Sequence, residues 1–186
     1  MTERPILTWL FVPADQPERI EKAIASRAHA VIESALGLER AFEIASHPGV
    51  RGIALGEADL RSQTGVLEAG LDWARGRVVN AAVAAGLPRP PQAVYMNVRD
   101  LDGLAESCRR GRELGHLGRQ AIHPAQLEVI ERSYLPTGSE VDHARATVEL
   151  LEGGDTGVVG EAFVDAAVLG SARTVLALAD AYGTAS

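Results

Sequence analysis

Carboxylate side chains dominate the positions at which this sequence could perform chemistry. In parallel α/β folds a ligand is reached by the one or two residues after each strand, and here these are Asp15, Glu33, Glu57, Asp59, Asn97 and His123. Two or three acids that converge from separate strand ends form a hard-oxygen site, which suits Mg²⁺. The simpler interpretation is that each acid only stabilises the helix that follows it. That interpretation is strongest for Glu57, because one residue of offset along a strand reverses the direction of a side chain.

Other candidate motifs have ordinary structural interpretations. His123 precedes Pro124 and could act as a general base, but a lone histidine before a proline is more typical of a hydrogen-bonded turn. The glycine-rich stretch at 153–160 lacks the lysine of a phosphate-binding loop and connects no strand to a helix, so it predicts no nucleotide site. The arginine-rich run at 109–112 is typical of a solvated helix face, and contact with coenzyme phosphates is the alternative.

The elements that must position these side chains alternate along the chain. Short apolar runs predict strands at 8–12, 28–32, 52–55, 93–98 and 120–122. Apolar periodicity and capping residues predict helices from Asp15 onward and at 34–46, 67–85, from Asp100 or Asp102 to 114, 139–151 and 166–181. About five βα units in succession indicate a parallel α/β architecture.

Composition narrows the classes of partner. The 186 residues carry a net charge of −7, which argues against a nucleic-acid binder and against a protein that binds anionic membranes. No stretch approaches the roughly 18 apolar residues of a membrane span, and charged residues stand where a signal peptide needs an apolar run, so a cytoplasmic location is expected. The single cysteine, Cys108, excludes an intramolecular disulfide and is expected to be a buried packing residue.

Several segments taken together resemble the citrate lyase β-subunit group of the HpcH/HpaI aldolase/citrate lyase family. The matching motifs follow the family's order over nearly the whole chain: LTWLFVPADQPERIEKAIAS, IESALGLERAFEIASHPGV, GIALGEADL, RVVNAAVAAGLPRPPQAVYMNVRDLDGL, AIHPAQLEVI and GEAFVDAAVLGSAR. The resemblance implies a TIM-barrel fold and trimeric or hexameric assembly. It also implies cleavage or formation of carbon–carbon bonds in hydroxy-acid thioesters of coenzyme A or an acyl carrier protein.

The resemblance also implies roles for three acids. The glutamate of IESALG is Glu33 and the aspartate of GEADL is Asp59. In the family these two hold Mg²⁺, which chelates the oxyanion groups of the substrate, so Glu33 is expected to serve in substrate binding as well. The aspartate of EAFVD is Asp165, which is expected to lie on a C-terminal lid, to reach a neighbouring subunit's site and to act catalytically in proton transfer.

The sequence departs from the family in its length. A TIM barrel needs eight βα units and typically about 250 residues. Two family motifs are absent from the place where they are expected, between Ile32 and Glu33. One is an acidic D-L-E-D strand end, and the other is a V-R-V-N strand whose arginine binds the substrate carboxylate in the family. Arg19 or Arg77 could substitute for that arginine. A segment missing from the sequence, a natural internal deletion or a degenerate subunit would each explain the gap.

The sequence therefore predicts an α/β fold, a TIM-barrel-derived parallel βα repeat that forms an incomplete barrel. The barrel-like domain is expected at 1–136, with an apparent internal deletion near 32/33, and a C-terminal helical lid segment at 137–186. Because five parallel strands cannot close a barrel, the open edges predict a homo-oligomer.

The expected function is a Mg²⁺-dependent carbon–carbon lyase that acts on a CoA thioester of a hydroxy acid, such as malyl-, citramalyl- or citryl-CoA. A catalytically degenerate β-like subunit with an assembly or regulatory role is the alternative. An open flavodoxin-like domain would explain the five units but not the motifs.

Overall fold

The computed structural model describes residues 29–154 and 156–183, which form two units with their boundary between Ser133 and Tyr134. The predicted strand at 8–12, Asp15 and Arg19 lie outside the described residues. The fold is mixed α/β, and helices dominate it. None of the helices in the described ranges is both long and apolar enough to cross a membrane.

The N-terminal unit contains two strands and most of the helices. In chain order its elements are β1 (His29–Ile32), α1 (Ala35–Glu39), α2 (Ala41–Ala45), β2 (Gly52–Leu55), α3 (Glu57–Thr64), a 3₁₀ turn (Glu68–Gly70), α4 (Leu71–Ala84), α5 (Leu101–Glu113), a second 3₁₀ turn (Pro124–Gln126) and α6 (Leu127–Tyr134), whose last residue already belongs to the second unit.

The core of this unit forms around a parallel pair of strands. β1 and β2 pair in register, with Ile32 opposite Leu55, which confirms the strands predicted at 28–32 and 52–55. Both strands are short apolar runs, as expected for a parallel pair that is covered on its faces. Helix α4 lies against them and contributes the buried side chains Leu71, Ala74 and Val78. The core is therefore aliphatic, in agreement with the 4% aromatic content.

The helix predicted at 34–46 is two helices rather than one. Ser34 caps α1 by accepting a hydrogen bond from the Gly37 amide at 3.1 Å, and the helix breaks at Arg40. Because of that break, Ala41 faces the core while Phe42 is 49% exposed.

The strands predicted at 93–98 and 120–122 do not form, and an isolated parallel bridge between Gln92 and Arg119 stands in their place. Side chains satisfy the main-chain groups that a strand would have paired. Gln126 donates to the Tyr95 carbonyl at 2.8 Å and accepts from the Ile122 amide at 3.0 Å. The described residues therefore contain two parallel strands, and the prediction of about five βα units is wrong for this part of the chain.

Helix α5 begins as predicted and packs closely against the preceding segment. Asp100 caps it by accepting from the Gly103 amide at 2.9 Å. Further along the helix, the amide of Gln92 lies against Gly111, and a Cβ at Gly111 would come within 1.9 Å of the Gln92 Cδ. Gly111 therefore allows the chain to pass close to the helix.

The C-terminal unit contains two long helices and a hairpin. Helix α7 (Gly138–Glu152) begins with a capping box formed by Thr137 and Glu140, and α8 (Leu169–Tyr182) follows a 3₁₀ turn at Ala166–Val168. These helices confirm those predicted at 139–151 and 166–181. Strands β3 (Gly157–Val159) and β4 (Ala162–Val164) pair antiparallel between them, so part of the predicted glycine-rich loop is strand.

Two glycine substitutions test the packing of Gln92 on α5. Alanine normally stabilises a helix relative to glycine, so Gly76→Ala in α4, where a Cβ meets no neighbouring atom within 4 Å, should raise the free energy of unfolding by about 0.5–1 kcal/mol. Gly111→Ala should lower it by about 1–3 kcal/mol, because the new methyl group displaces the Gln92 amide. Urea unfolding followed by circular dichroism measures both. Equal effects of the two substitutions would contradict the close packing of Gln92.

Candidate functional site

The carboxyl ends of β1 and β2 place Glu33 beside Gly56. Each residue directly follows its strand, and the Gly56 amide donates to the Ile32 carbonyl at 2.8 Å. The Glu33 side chain lies over the glycine, since a Cβ at Gly56 would be 2.4 Å from Glu33 Cγ and 2.9 Å from its Oε1. Gly56 therefore provides the space that the half-buried Glu33 carboxylate occupies.

Asp59 lies in the first turn of α3, which begins immediately after Gly56. The side chain of Asp59 is exposed, and Gly56 supplies no side chain to cap the free amides of that turn. The N-terminal turn of a helix favours negative charge. The structure thus brings Glu33 and the turn that carries Asp59 to the carboxyl ends of the paired strands β1 and β2, as the sequence predicts. Asp59 lies inside helix α3 rather than ahead of it.

Glu57 is bound by an arginine, which supports its structural interpretation. The guanidinium of Arg75 donates to both carboxylate oxygens, from Nε to Oε1 at 2.8 Å and from a terminal nitrogen to Oε2 at 2.7 Å. Only 6% of the Arg75 side chain and 16% of the Glu57 side chain are exposed. Burial lowers the pKa of Arg75, but its hydrogen bonds and charge interactions with Glu57 and Glu68 outweigh burial and raise that pKa overall.

Arg75 is the centre of a larger ion-pair network that the sequence analysis missed. Its guanidinium also donates to Glu68 at 2.6 Å and to Asp72 at 3.1 Å. Asp72 in turn accepts from Arg110 of α5 at 2.7 Å, and this hydrogen bond holds the pKa of the Asp72 carboxyl below its ordinary value. A sequence signal for this network did exist. Arg75 falls among the buried apolar positions of α4, and it lies three positions after Asp72, a spacing at which two helical side chains can meet.

Other predicted residues serve local structure. The His123 imidazole accepts from the Ala125 amide at 3.1 Å and caps the Pro124–Gln126 turn, which supports its turn interpretation. The side-chain carbonyl of Asn97 accepts from the Arg99 amide at 3.3 Å, also within a turn.

The arginines and the cysteine also have structural contacts. Arg77 donates to the Glu39 carbonyl at the end of α1 at 3.1 Å. In α5, Arg109 pairs with Glu106, which fits the solvated-face interpretation of the run at 109–112. Cys108 is fully buried, as predicted.

Asp165 belongs to the C-terminal unit. It is exposed and caps the 3₁₀ turn before α8 by accepting from the Ala167 amide at 2.9 Å. Its part in proton transfer stays a prediction.

The donor set fits a magnesium ion that is shared with a substrate. Across 29–154 and 156–183 there is no group of three or more His, Cys, Asp or Glu side chains that could enclose a metal. Mg²⁺ is commonly held by one or two carboxylates, with substrate oxygens and waters as its other ligands. Two carboxylates near the ends of β1 and β2, Glu33 over Gly56 and Asp59 in the adjacent turn, are the ones that would hold such an ion, whereas Glu57 is bound by Arg75.

His116 is a buried titratable residue that the sequence analysis did not identify as important. Only 1% of it is exposed, its Nδ1 lies 3.1 Å from the Pro90 carbonyl, and its Nε2 has no hydrogen-bond partner among the described residues. Burial lowers the pKa of His116, the Pro90 carbonyl and Glu57 oppose that shift, and Arg75 and Arg119 reinforce it. The folded protein therefore favours the neutral imidazole, with its proton on Nδ1.

Comparison with known proteins identifies related sequences. The family model of HpcH/HpaI aldolase/citrate lyase matches residues 16–124. The chain is 34% identical over 165 residues to a (3S)-malyl-CoA thioesterase of Cereibacter sphaeroides, a match that covers 82% of this chain and 56% of the relative. It is 36% identical over 181 residues to the citrate lyase subunit beta of Escherichia coli, covering 89% of this chain and 59% of that protein. The chain thus spans less than two thirds of the curated relatives that it matches.

Solved structures share the fold. CitE from Mycobacterium tuberculosis, in complex with magnesium, acetoacetate and coenzyme A, superposes with a TM-score of 0.77 at 24% identity, over 91% of this chain and 67% of that one. A citrate lyase beta subunit from the same organism, complexed with oxaloacetate and magnesium, gives a TM-score of 0.60 at 26% identity, over 68% of this chain and 60% of that one.

The lowered pKa of His116 predicts a loss of stability in weak acid. The unfolded chain binds a proton at this residue below about pH 6.5, whereas the folded protein resists it, so the free energy of unfolding should fall as pH drops below 6.5, by at most about 1.4 kcal/mol per pH unit. Unfolding between pH 7.5 and 5.5 measures this slope. His116→Asn retains a side-chain donor for Pro90 and should flatten the slope, while His143→Asn at an exposed position should not. Equal slopes in the wild type and His116→Asn would contradict the assignment.

Proposed function

The chain belongs to the HpcH/HpaI aldolase/citrate lyase family, and from this we propose that it is a Mg²⁺-dependent carbon–carbon lyase acting on a CoA thioester of a hydroxy acid. Its relatives include a citrate lyase subunit beta and a malyl-CoA thioesterase, which supports an enzyme that acts on an acyl thioester. The proposed substrates are malyl-, citramalyl- and citryl-CoA, and a cleavage assay should compare all three.

One observation carries the proposal. The Glu33 carboxylate lies over Gly56, directly before the helical turn that carries Asp59, and this proximity in the chain supports the proposal that both carboxylates act as oxygen ligands. The magnesium bound by a citrate lyase beta subunit of M. tuberculosis supports the same ion here. When bound, Mg²⁺ supplies positive charge that stabilises the oxygen anion developing as the carbon–carbon bond breaks.

The residues of the chain have separate tasks in this mechanism. Glu33 and Asp59 would hold and orient the ion against the substrate oxygens. The substrate hydroxyl would lose its proton to solvent water and become a carbonyl as the carbon–carbon bond breaks, and the electron pair of that bond would remain on the carbon next to the thioester, as an enolate. The carboxylic acid of Asp165 would then deliver a proton to that carbon, on a C-terminal segment that reaches the site of a neighbouring copy.

The open strands support self-association. Among the described residues β1 and β2 pair only with each other, so we propose that an incomplete barrel at 1–136 covers its open edges by self-association, with 137–186 as the lid segment. The family resemblance suggests a trimer or hexamer as the assembly. The alternative is a degenerate subunit with an assembly or regulatory role. The absence of the substrate-binding arginine and of the acidic strand end from the sequence supports that alternative, and Arg77 donates one exposed hydrogen bond to the Glu39 carbonyl.

Substitution of either proposed ligand should remove the metal site. Asp59→Asn and Glu33→Gln each preserve size and remove one charged ligand, so Mn²⁺ binding followed by EPR should weaken by about 10- to 100-fold relative to saturable binding in the wild type. Asp102→Asn is the matched control, since Asp102 is also an exposed acid in the first turn of a helix, and it should bind Mn²⁺ as the wild type does. Unchanged binding in Asp59→Asn would refute the site.

A cleavage assay distinguishes the active lyase from the degenerate subunit. Wild-type protein should cleave at least one of the three CoA thioesters with Mg²⁺ present, and Asp59→Asn should lose that cleavage. Saturable Mn²⁺ binding without turnover of any of them would favour the degenerate subunit instead.

A methyl group at Gly56 should disturb the site through Glu33. Gly56 has φ −87° and ψ 84°, close to the backbone angles of Asp100, and the three atoms nearest to a new Cβ all belong to the Glu33 side chain, so Gly56→Ala is expected to act by displacing that side chain. Mn²⁺ affinity should fall by about tenfold, while the helical signal in circular dichroism stays as in the wild type. Gly76→Ala serves as the control and should bind normally. Wild-type affinity in Gly56→Ala would remove Glu33 from the ligand set.

A further inference from the structure

Helix α3 carries Asp59, and the side-chain contacts beyond its first turn include Gln63, which accepts from the Ala35 amide at 2.7 Å, and Arg61, which pairs with Glu68 at 3.3 Å. Leu60 is its one buried residue. Gly56 ahead of it makes no side-chain cap, and its amide bond to Ile32 holds the end of β2 rather than the helix. Among the described residues, the first turn itself is held by the pair that Glu57 forms with Arg75.

Arg75 is well suited to fix that turn, because its own backbone is held in the core. It lies on the buried face of α4 among Leu71, Ala74 and Val78. Its planar guanidinium engages both oxygens of Glu57, at 2.8 and 2.7 Å, and a bidentate bond of this kind fixes the plane of the carboxylate as well as its position.

The bond that fixes Glu57 also limits the direction of Asp59, because the two residues are two positions apart on the same helix. Residues two apart on a helix with 3.6 residues per turn point in nearly opposite directions. When Arg75 draws Glu57 towards α4, the Asp59 side chain must point away from α4, and Asp59 is indeed exposed whereas Glu57 is largely covered. The pair also keeps Glu57 from competing as a third carboxylate.

We propose that Arg75 is a positioning residue of the metal site: through its bidentate bond to Glu57 it sets the rotation of the first turn of α3 and thereby the direction of Asp59. The inference rests on the proposed function, since it concerns the same pair of ligands. It differs from a purely stabilising role, in which any well-packed replacement of the buried ion pair would serve equally well.

Two variants separate these roles. Arg75→Met/Glu57→Met replaces the buried pair by apolar side chains of similar length, and such replacements are often neutral for stability. The other acids around Arg75 keep partners in this variant, because Glu68 still pairs with Arg61 at 3.3 Å. Asp72 likewise keeps Arg110 at 2.7 Å. Glu57→Gln is the milder change, which keeps the shape of the side chain and removes its charge.

The experiment measures Mn²⁺ affinity by EPR and the thermal unfolding midpoint in the absence of metal. We expect both variants to remain folded and to bind Mn²⁺ about 10- to 100-fold more weakly, the range typical for loss of a residue that orients a metal ligand. Arg77→Met is the control on the same helix, and it should bind as the wild type does.

The outcomes are distinguishable. Wild-type affinity in the folded Arg75→Met/Glu57→Met variant or in folded Glu57→Gln would overturn the inference while leaving the proposed function intact, provided that Asp59→Asn loses binding. A wild type that shows no saturable Mn²⁺ binding, or an Asp59→Asn variant that binds normally, would overturn both. If the double variant unfolds, Glu57→Gln alone decides the question.

Discussion

Burying a guanidinium group is costly unless acceptors surround it, and in the N-terminal unit this requirement determines which acids remain available. Arg75 stands on the core face of α4 with 6% of its side chain exposed, and carboxylates from α3, from the 3₁₀ turn at Glu68–Gly70 and from α4 itself surround it. The network joins these three segments by ion pairs. It also divides the acids of this region into two groups. Glu57, Glu68 and Asp72 neutralise Arg75, whereas Glu33 and Asp59 are the acids proposed to face a ligand.

That division explains how far the sequence could predict the site. The rule that parallel strands end at a common edge placed Glu33 and the turn of Asp59 together, and the alternation of side chains along a strand favoured a structural role for Glu57. The sequence could not reveal that Arg75 binds Glu57, because the two residues are 18 positions apart and the bond between them depends on how α3 and α4 pack. Long-range charge pairs carry no periodicity that a linear pattern records.

The same limit explains the two strands that do not form. The run at 93–98 has the apolar and aromatic composition of a strand, but composition states only a preference, and a strand needs a partner along its length. Here Gln126 and Arg119 supply hydrogen bonds to the main chain of this run through their side chains, at Tyr95 and Ala93. Helices were predicted more accurately, because their hydrogen bonds and caps are local. Asp100 illustrates this, since it caps α5 with an amide three residues away.

The charges around the site explain why a divalent ion suits the proposed chemistry. Glu33 and Asp59 together contribute two negative charges, and the substrate acid and the enolate formed on cleavage add more. The nearest buried cation of the network, Arg75, is already surrounded by Glu57, Glu68 and Asp72 and has little positive charge to offer a ligand. Within the part of the chain that the structure describes, Arg75 therefore leaves this charge uncompensated, and a cation bound between the two carboxylates and the substrate would balance it. Mg²⁺ meets that requirement, because it accepts oxygens from both sides and needs only two carboxylates from the protein.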